Sequence, residues 1–235
     1  MAQACALAPP IFNPRSHSSS SSVHRSLQEM ASAADVVGWY DLSWAGGSFP
    51  ICFRPGGCFF CPSFQAPARW VLEEGVVKID WAKFGKYELK FDPESKSMEG
   101  NAIPLKEDDP NNWRKAAFKS ELSPAEALLI GDGAGTEWDF EWSGGSFKVR
   151  FKADGYNHFQ CPDFPAHAHW TLTGNTLKIN WAEYGNYTME IDAAASAMAG
   201  GQTGQDWSKD DMWRKAKNPE KLMDQKTLEH CEHHH

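Results

Sequence analysis

Trp44-Ala45-Gly46-Gly47-Ser48-Phe49 returns as Trp142-Ser143-Gly144-Gly145-Ser146-Phe147, 98 residues further along the chain. Cys61-Pro62 returns as Cys161-Pro162 at an offset of 100, so the second copy has gained two residues in the intervening turn. The new offset then holds. Trp70 matches Trp170, Lys78-Ile79 matches Lys178-Ile179, Trp81-Ala82 matches Trp181-Ala182, and Trp113-Arg114-Lys115-Ala116 matches Trp213-Arg214-Lys215-Ala216. Between 70–91 and 170–191, eight of 22 residues are identical, which marks an internal duplication.

Each copy reads as antiparallel strands. Phe147, Val149 and Phe151 alternate with Lys148, Arg150 and Lys152, the period of two expected of a half-buried strand. Turns at Ala153-Asp154-Gly155 and Thr173-Gly174-Asn175 separate it from further inward runs: Phe159 and Cys161, Trp170 and Leu172, then Leu177, Ile179 and Trp181. Tyr187, Met189 and Ile191 follow, and the first copy repeats the pattern from Phe49 to Phe91. Two shorter strands near Met98 and Trp113, with their counterparts, bring each copy to about eight strands, the signature of a meander barrel or sandwich. Ser123-Pro124-Ala125-Glu126 is a capping box with proline at the first helical position, and Gly131 stops that helix. A weaker helical pattern runs from Ser26 to Val37, and another begins at Asn218.

The fold class expected is therefore all-β: two tandem antiparallel meander β-barrels with short flanking helices. The boundaries are a leader over 1–28, a first barrel with its helix over 29–118, and a helical linker over 119–136. A second barrel over 137–217, a C-terminal helix over 218–227 and a tag-like tail over 228–235 complete the chain. The stretch from Phe147 to Ile191, with its Phe-x-Val-x-Phe strand, Asp-Gly turn, Trp-Thr-Leu-Thr-Gly-Asn-Thr-Leu run and Gly-x-Tyr, resembles small lipocalin-like (calycin-type) β-barrel domains. The resemblance implies an up-and-down barrel that binds a small apolar molecule.

Composition narrows the partners. In 235 residues, 41% are hydrophobic and 13% aromatic, enough for packed cores, while the net charge of −8 argues against a binder of nucleic-acid backbone. No apolar run approaches the ~20 residues of a membrane helix. The first 28 residues hold Arg15 and Arg25, no acid, and the run Ser18 to Ser22, a composition like that of a plastid transit peptide. A cytoplasmic or plastid location is expected, since the cysteines do not form a disulfide framework.

Histidine placement is the sharpest chemical signal. Apart from the leader and tail, every histidine lies within twelve residues: His158, His167 and His169. A His-x-His pair on a strand places two imidazoles on one face, and a hairpin around Asp163-Phe164 brings His158 opposite them. Three imidazoles plus water is the ligand set of catalytic zinc. Parity opposes this reading, because Phe159, Cys161, Trp170 and Leu172 face the core. The histidines then face outward, into solvent, without supporting groups.

Two cysteines, Cys52 and Cys58, are expected to face outward across a hairpin, close enough for a labile bridge. Cys61 and Cys161 read as small core side chains. Trp70, Trp81, Trp170 and Trp181 keep phase with aliphatic neighbours and read as core. Arg114 and Arg214, the repeated basic residues, brace aromatic rings or clamp a carboxylate.

Two functions follow as expectations. The first is non-catalytic binding of a small hydrophobic or amphipathic ligand, or of a protein partner by a bivalent module, with Trp70 and Trp170 flanking the ligand and Arg114 and Arg214 orienting it. The alternative is a zinc-dependent lyase or hydrolase, with carbonic-anhydrase-like chemistry, using His158, His167 and His169.

Overall fold

Alternating residues determine the observed architecture. The computed structural model describes residues 31–105, 109–209 and 211–218. The leader 1–28, the tail 228–235 and all but Asn218 of the helix expected at 218–227 lie outside them. In the first unit, α1 (Ala33–Val36) precedes β1 (Gly38–Trp44), β2 (Gly47–Phe53), β3 (Phe59–Phe60) and β4 (Arg69–Glu73). Then come β5 (Val76–Asp80), β6 (Lys86–Asp92), β7 (Ser97–Ile103) and β8 (Trp113–Ser120). The linking helix α2 (Pro124–Ile130) starts where the capping box places it, with the Ser123 hydroxyl accepting from the Glu126 amide at 3.2 Å.

The second unit repeats the series as β9 (Gly135–Trp142), β10 (Gly145–Lys152), β11 (Phe159–Gln160) and β12 (His169–Thr173). It continues through β13 (Thr176–Asn180), β14 (Asn186–Asp192), β15 (Ala197–Gln202) and β16 (Trp213–Lys217). The strands expected to be short differ between the units: β7 and β8 are as long as β1 and β2, whereas β15 and β16, with 6 and 5 residues, are shorter than β9 and β10, with 8 each.

All pairings are antiparallel, in the order β3-β2-β1-β8-β7-β6-β5-β4 and its equivalent β11-β10-β9-β16-β15-β14-β13-β12. Each sheet curls until its two ends almost meet. A single bridge spans the remaining seam: Cys58 opposite Arg69 in the first barrel, His158 opposite His169 in the second. At the second seam, the Phe159 amide donates to Ala168 (2.9 Å) and the Trp170 amide to Asn157 (2.8 Å).

The inward residues read from the sequence fill the interiors. Phe53, Phe59, Trp70 and Trp81 pack edge-to-face in the first barrel, as Phe151, Phe159, Trp170 and Trp181 interlock in the second. The indole N–H of each of these four tryptophans finds a carbonyl: Trp70 donates to Arg54 (3.0 Å), Trp170 to Lys152 (2.9 Å), Trp81 to Phe64 (3.1 Å) and Trp181 to Phe164 (3.2 Å). No helix among the described residues is long and apolar enough to cross a membrane.

The two barrels are locked together along the outer face of β2 and β3. Cys52, Arg54, Cys58 and Phe60 all lie there, and all are buried. This corrects the expectation that Cys52 and Cys58 face solvent and could bridge: both are reduced, and burial raises the Cys52 thiol to about 12. Cys58 Sγ donates to the Gly133 carbonyl at 2.9 Å. Contact is so close that a Cβ on Gly133 would stand 1.8 Å from the Pro55 carbonyl oxygen, and one on Gly155 1.8 Å from that of Ala66.

Gly155→Ala should therefore lower stability in chemical denaturation by about 2 kcal/mol, the usual scale of overpacking. An unchanged midpoint would mean that the barrels do not press together at this point.

Candidate metal centre

The two residues gained by the second copy fall beside its seam. Five residues separate Lys152 from His158, where three separate Arg54 from Cys58. The longer loop folds around the Asp154 carboxylate, which accepts from the amides of Tyr156 (3.0 Å) and His158 (3.2 Å). It ends at Asn157 with φ of +56°, a left-handed conformation that asparagine tolerates better than most residues. This turn aims His158 across the seam at β12.

The three imidazoles converge there. His158 and His169 face each other in the bridge with ring centroids 4.9 Å apart. His167, two residues before His169 and on the same face, sets its Nε2 2.8 Å from Nε2 of His169. One nitrogen from each ring lies within 4.8 Å of the others. His158 and His169 are half-buried and His167 is exposed, so the cluster opens to solvent on one side.

Neighbouring groups select which nitrogen is available. Nδ1 of His169 lies 3.1 Å from the Tyr156 carbonyl, which can only accept, so that nitrogen carries the proton and Nε2 keeps its lone pair. Nδ1 of His158 meets the Asp154 carboxylate at 2.5 Å. A carboxylate or carbonyl behind each ligand imidazole is the usual support of a metal site, fixing tautomer and raising basicity.

Burial alone would raise the Asp154 pKa. Hydrogen bonds from the His158 ring and from the His158 and Tyr156 amides outweigh it and hold the carboxyl below its ordinary range. Burial is also the main reason that His169 titrates below the usual imidazole value; the neighbouring His158 and His167 act in the same direction.

These observations change the sequence reading at one point. Parity is right that the histidines alternate with core residues. The supporting groups that parity could not supply come from the inserted loop. Zinc takes imidazole nitrogens at about 2.0–2.1 Å in a tetrahedron, which sets them roughly 3.4 Å apart; to hold it, the His167 and His169 nitrogens, 2.8 Å apart, would have to open. At the first barrel's seam the corresponding residues are Cys58, Pro67 and Arg69, with Arg69 Nη1 donating to Cys58 Sγ at 3.1 Å. That set offers no comparable trio of ligands.

The other site residues separate. Arg114 places its guanidinium 5.6 Å from the Trp44 ring and 5.4 Å from the Tyr87 ring, and Nη1 donates to the carbonyls of Asn111 (3.1 Å) and Trp113 (2.8 Å). Arg214 does the same with Trp142 and Tyr187, at 5.5 Å each. The hollows beside them hold about 250 and 180 Å³. Trp70 and Trp170 do not line these hollows. Trp70 instead borders a groove of about 880 Å³ on the first barrel with Ala33, Val37, Pro55, Gly56 and Arg69, while Trp170 faces Arg54 at 5.7 Å.

No family model matches the chain, and neither does the sequence of any curated protein. The class rests on the fold: a tandem pair of nearly closed eight-stranded antiparallel β-barrels, one of which carries a three-histidine cluster across its seam.

A depressed His169 pKa has a definite consequence for stability. The unfolded chain takes up a proton near pH 6.5, whereas the folded chain takes it up only at lower pH. Native stability should therefore be unaffected by this group above that value and fall between it and the lower folded pKa. Denaturation midpoints from pH 7.5 to 5 check this, with His169→Gln expected to flatten the fall.

Proposed function

We propose that the second barrel binds one late first-row divalent ion, zinc foremost, through Nε2 of His158, of His169 and of His167. The observation that carries this reading is the Asp154–His158 pair: a carboxylate only 1% exposed, held against the ring nitrogen that faces away from the cluster. A surface histidine with no partner to serve has no need of such support. Nitrogen ligands favour zinc, copper, nickel or iron over calcium or magnesium. Three protein ligands leave a fourth position for water, and zinc in such a set lowers the pKa of its water to ~7. Hydration or hydrolysis of a small carbonyl compound is the activity consistent with that water, on the solvent-open side where His167 lies.

Elemental analysis of protein freed of the histidine-bearing tail 228–235 tests this reading. One zinc per chain is expected, absent in His169→Ala. Asp154→Asn should bind zinc about 10- to 100-fold more weakly, the usual effect of losing an outer partner. Because the ligands lie on both sides of the seam, zinc at 100 times its Kd should also add about 2.7 kcal/mol to unfolding stability. Metal-free protein that gains no stability with zinc would refute the proposal.

A second reading, binding of an amphipathic molecule, is favoured by the groove beside Trp70. Its lining is largely apolar, its volume lies within the range of small-molecule sites, and Arg69 supplies a cation at its edge. A fatty acid or pigment should shift tryptophan emission in the wild type and much less in Trp70→Phe. No shift in either protein would exclude this groove as the binding site.

A further inference from the structure

Arg54 belongs to the first barrel, yet its side chain ends in the second. It follows β2, is only 2% exposed, and sends Nη1 to the Asp154 carbonyl (3.2 Å) and to Oδ1 of Asn157 (2.8 Å). Its guanidinium lies 4.2 Å from the centroid of Phe60 and 5.7 Å from that of Trp170, so a desolvated cation is held between an aromatic ring of each barrel. Both of these acceptors belong to the inserted loop. One is the residue whose carboxylate orients His158; the other is the left-handed residue immediately before His158. The carbonyl of the same Asn157 accepts from the Trp170 amide across the seam. On its opposite side the loop is stopped by the close approach of Gly155 to the Ala66 carbonyl, again from the first barrel.

From this arrangement, and resting on the metal reading above, we infer that Arg54 is a positioning residue for the metal centre. The first barrel supplies no ligand; it sets the loop that aims and orients one. The position equivalent to Arg54 in the second barrel is Lys152, a single-headed cation. A guanidinium differs in presenting several donors in a fixed plane and in stacking on rings, which suits it to hold two acceptors on one loop at once.

The test is a cobalt(II) titration, read by its tetrahedral visible absorption, of tail-free wild type, Arg54→Met, Arg54→Lys and Val77→Ala. Val77 is a fully buried core residue of the first barrel, so its truncation lowers stability without touching the loop. The inference expects Arg54→Met to bind cobalt at least about 10-fold more weakly with an altered absorption band. It expects Arg54→Lys to recover part of the loss, and Val77→Ala to bind as the wild type does. If Arg54→Met does not fold, Asn157→Gly keeps the left-handed backbone while deleting the acceptor, and the same weakening is expected. Wild-type affinity in both Arg54→Met and Asn157→Gly, or equal weakening in Val77→Ala, would overturn the role assigned to Arg54 and leave the metal reading intact. A wild type that binds no cobalt would overturn the metal reading itself, and with it the role of Arg54.

Discussion

Closure of the barrel at its shortest strands governs the rest of the molecule. An antiparallel sheet that does not close leaves two edges of unpaired N–H and C=O groups, and curling it into a barrel is the way to remove them. Here the last pairing falls to strands of two residues, β3 and β11, each joined to its partner by one bridge. Few backbone hydrogen bonds are available there, so side chains reinforce the seam. In the first barrel Arg69 donates to Cys58 across it; in the second, His158, His167 and His169 gather over it. A ligand bound by residues on both sides requires the closed seam, so its binding adds to folding stability.

The same seam shows how the copies diverged. Their cores keep buried side chains at matching positions, although several are exchanged, as Leu42 for Phe140 and Phe91 for Ile191, and the difference in length falls in one turn. The first copy uses Pro55-Gly56-Gly57 as a tight one-turn 3-10 segment; the second uses five residues wound around a buried carboxylate. Insertion in a turn leaves strand register and core packing untouched, so it is a low-cost place for new polar groups. Burial of Asp154 is tolerable because its oxygens meet two amides and an imidazole.

Much of the fold was legible because alternation and duplication state it twice. Trp70, Ile79, Trp81, Leu89 and Phe91, with their partners 100 residues on, are core in both places, and the hairpin at Gly46-Gly47 joins β1 to β2 as its glycines imply. The strand β9 is less visible, although Trp138 and Phe140 alternate with Glu137, Asp139 and Glu141, because it precedes the Gly144-Gly145 hairpin at which the repeated motif lies. The histidine trio was legible from spacing. Its support was not, because which loop atoms turn toward a ring depends on backbone conformation that residue types leave open. The change of offset from 98 to 100 beside His158 was nonetheless a local mark of new structure at that point.

Outer faces carried information that inward periodicity ignores. Cys52 pairs with Phe60 on the outside of the first barrel; the equivalent pair in the second is Arg150 with Gln160. The apolar pair is fully buried, whereas the polar pair is half-exposed and Arg150 reaches Glu137 at 3.1 Å. Ala66 is buried and Ala166 is not. Two like barrels thus meet through unlike surfaces, as head-to-tail contacts do. Such a contact gives equivalent turns different neighbours: the loop at 154–157 is gripped by Arg54 and stopped by the Ala66 carbonyl. That asymmetry gives a physical reason for the supported histidine cluster to stand in one copy only. A duplicated chain whose copies shared identical surroundings would have no such reason to favour either seam.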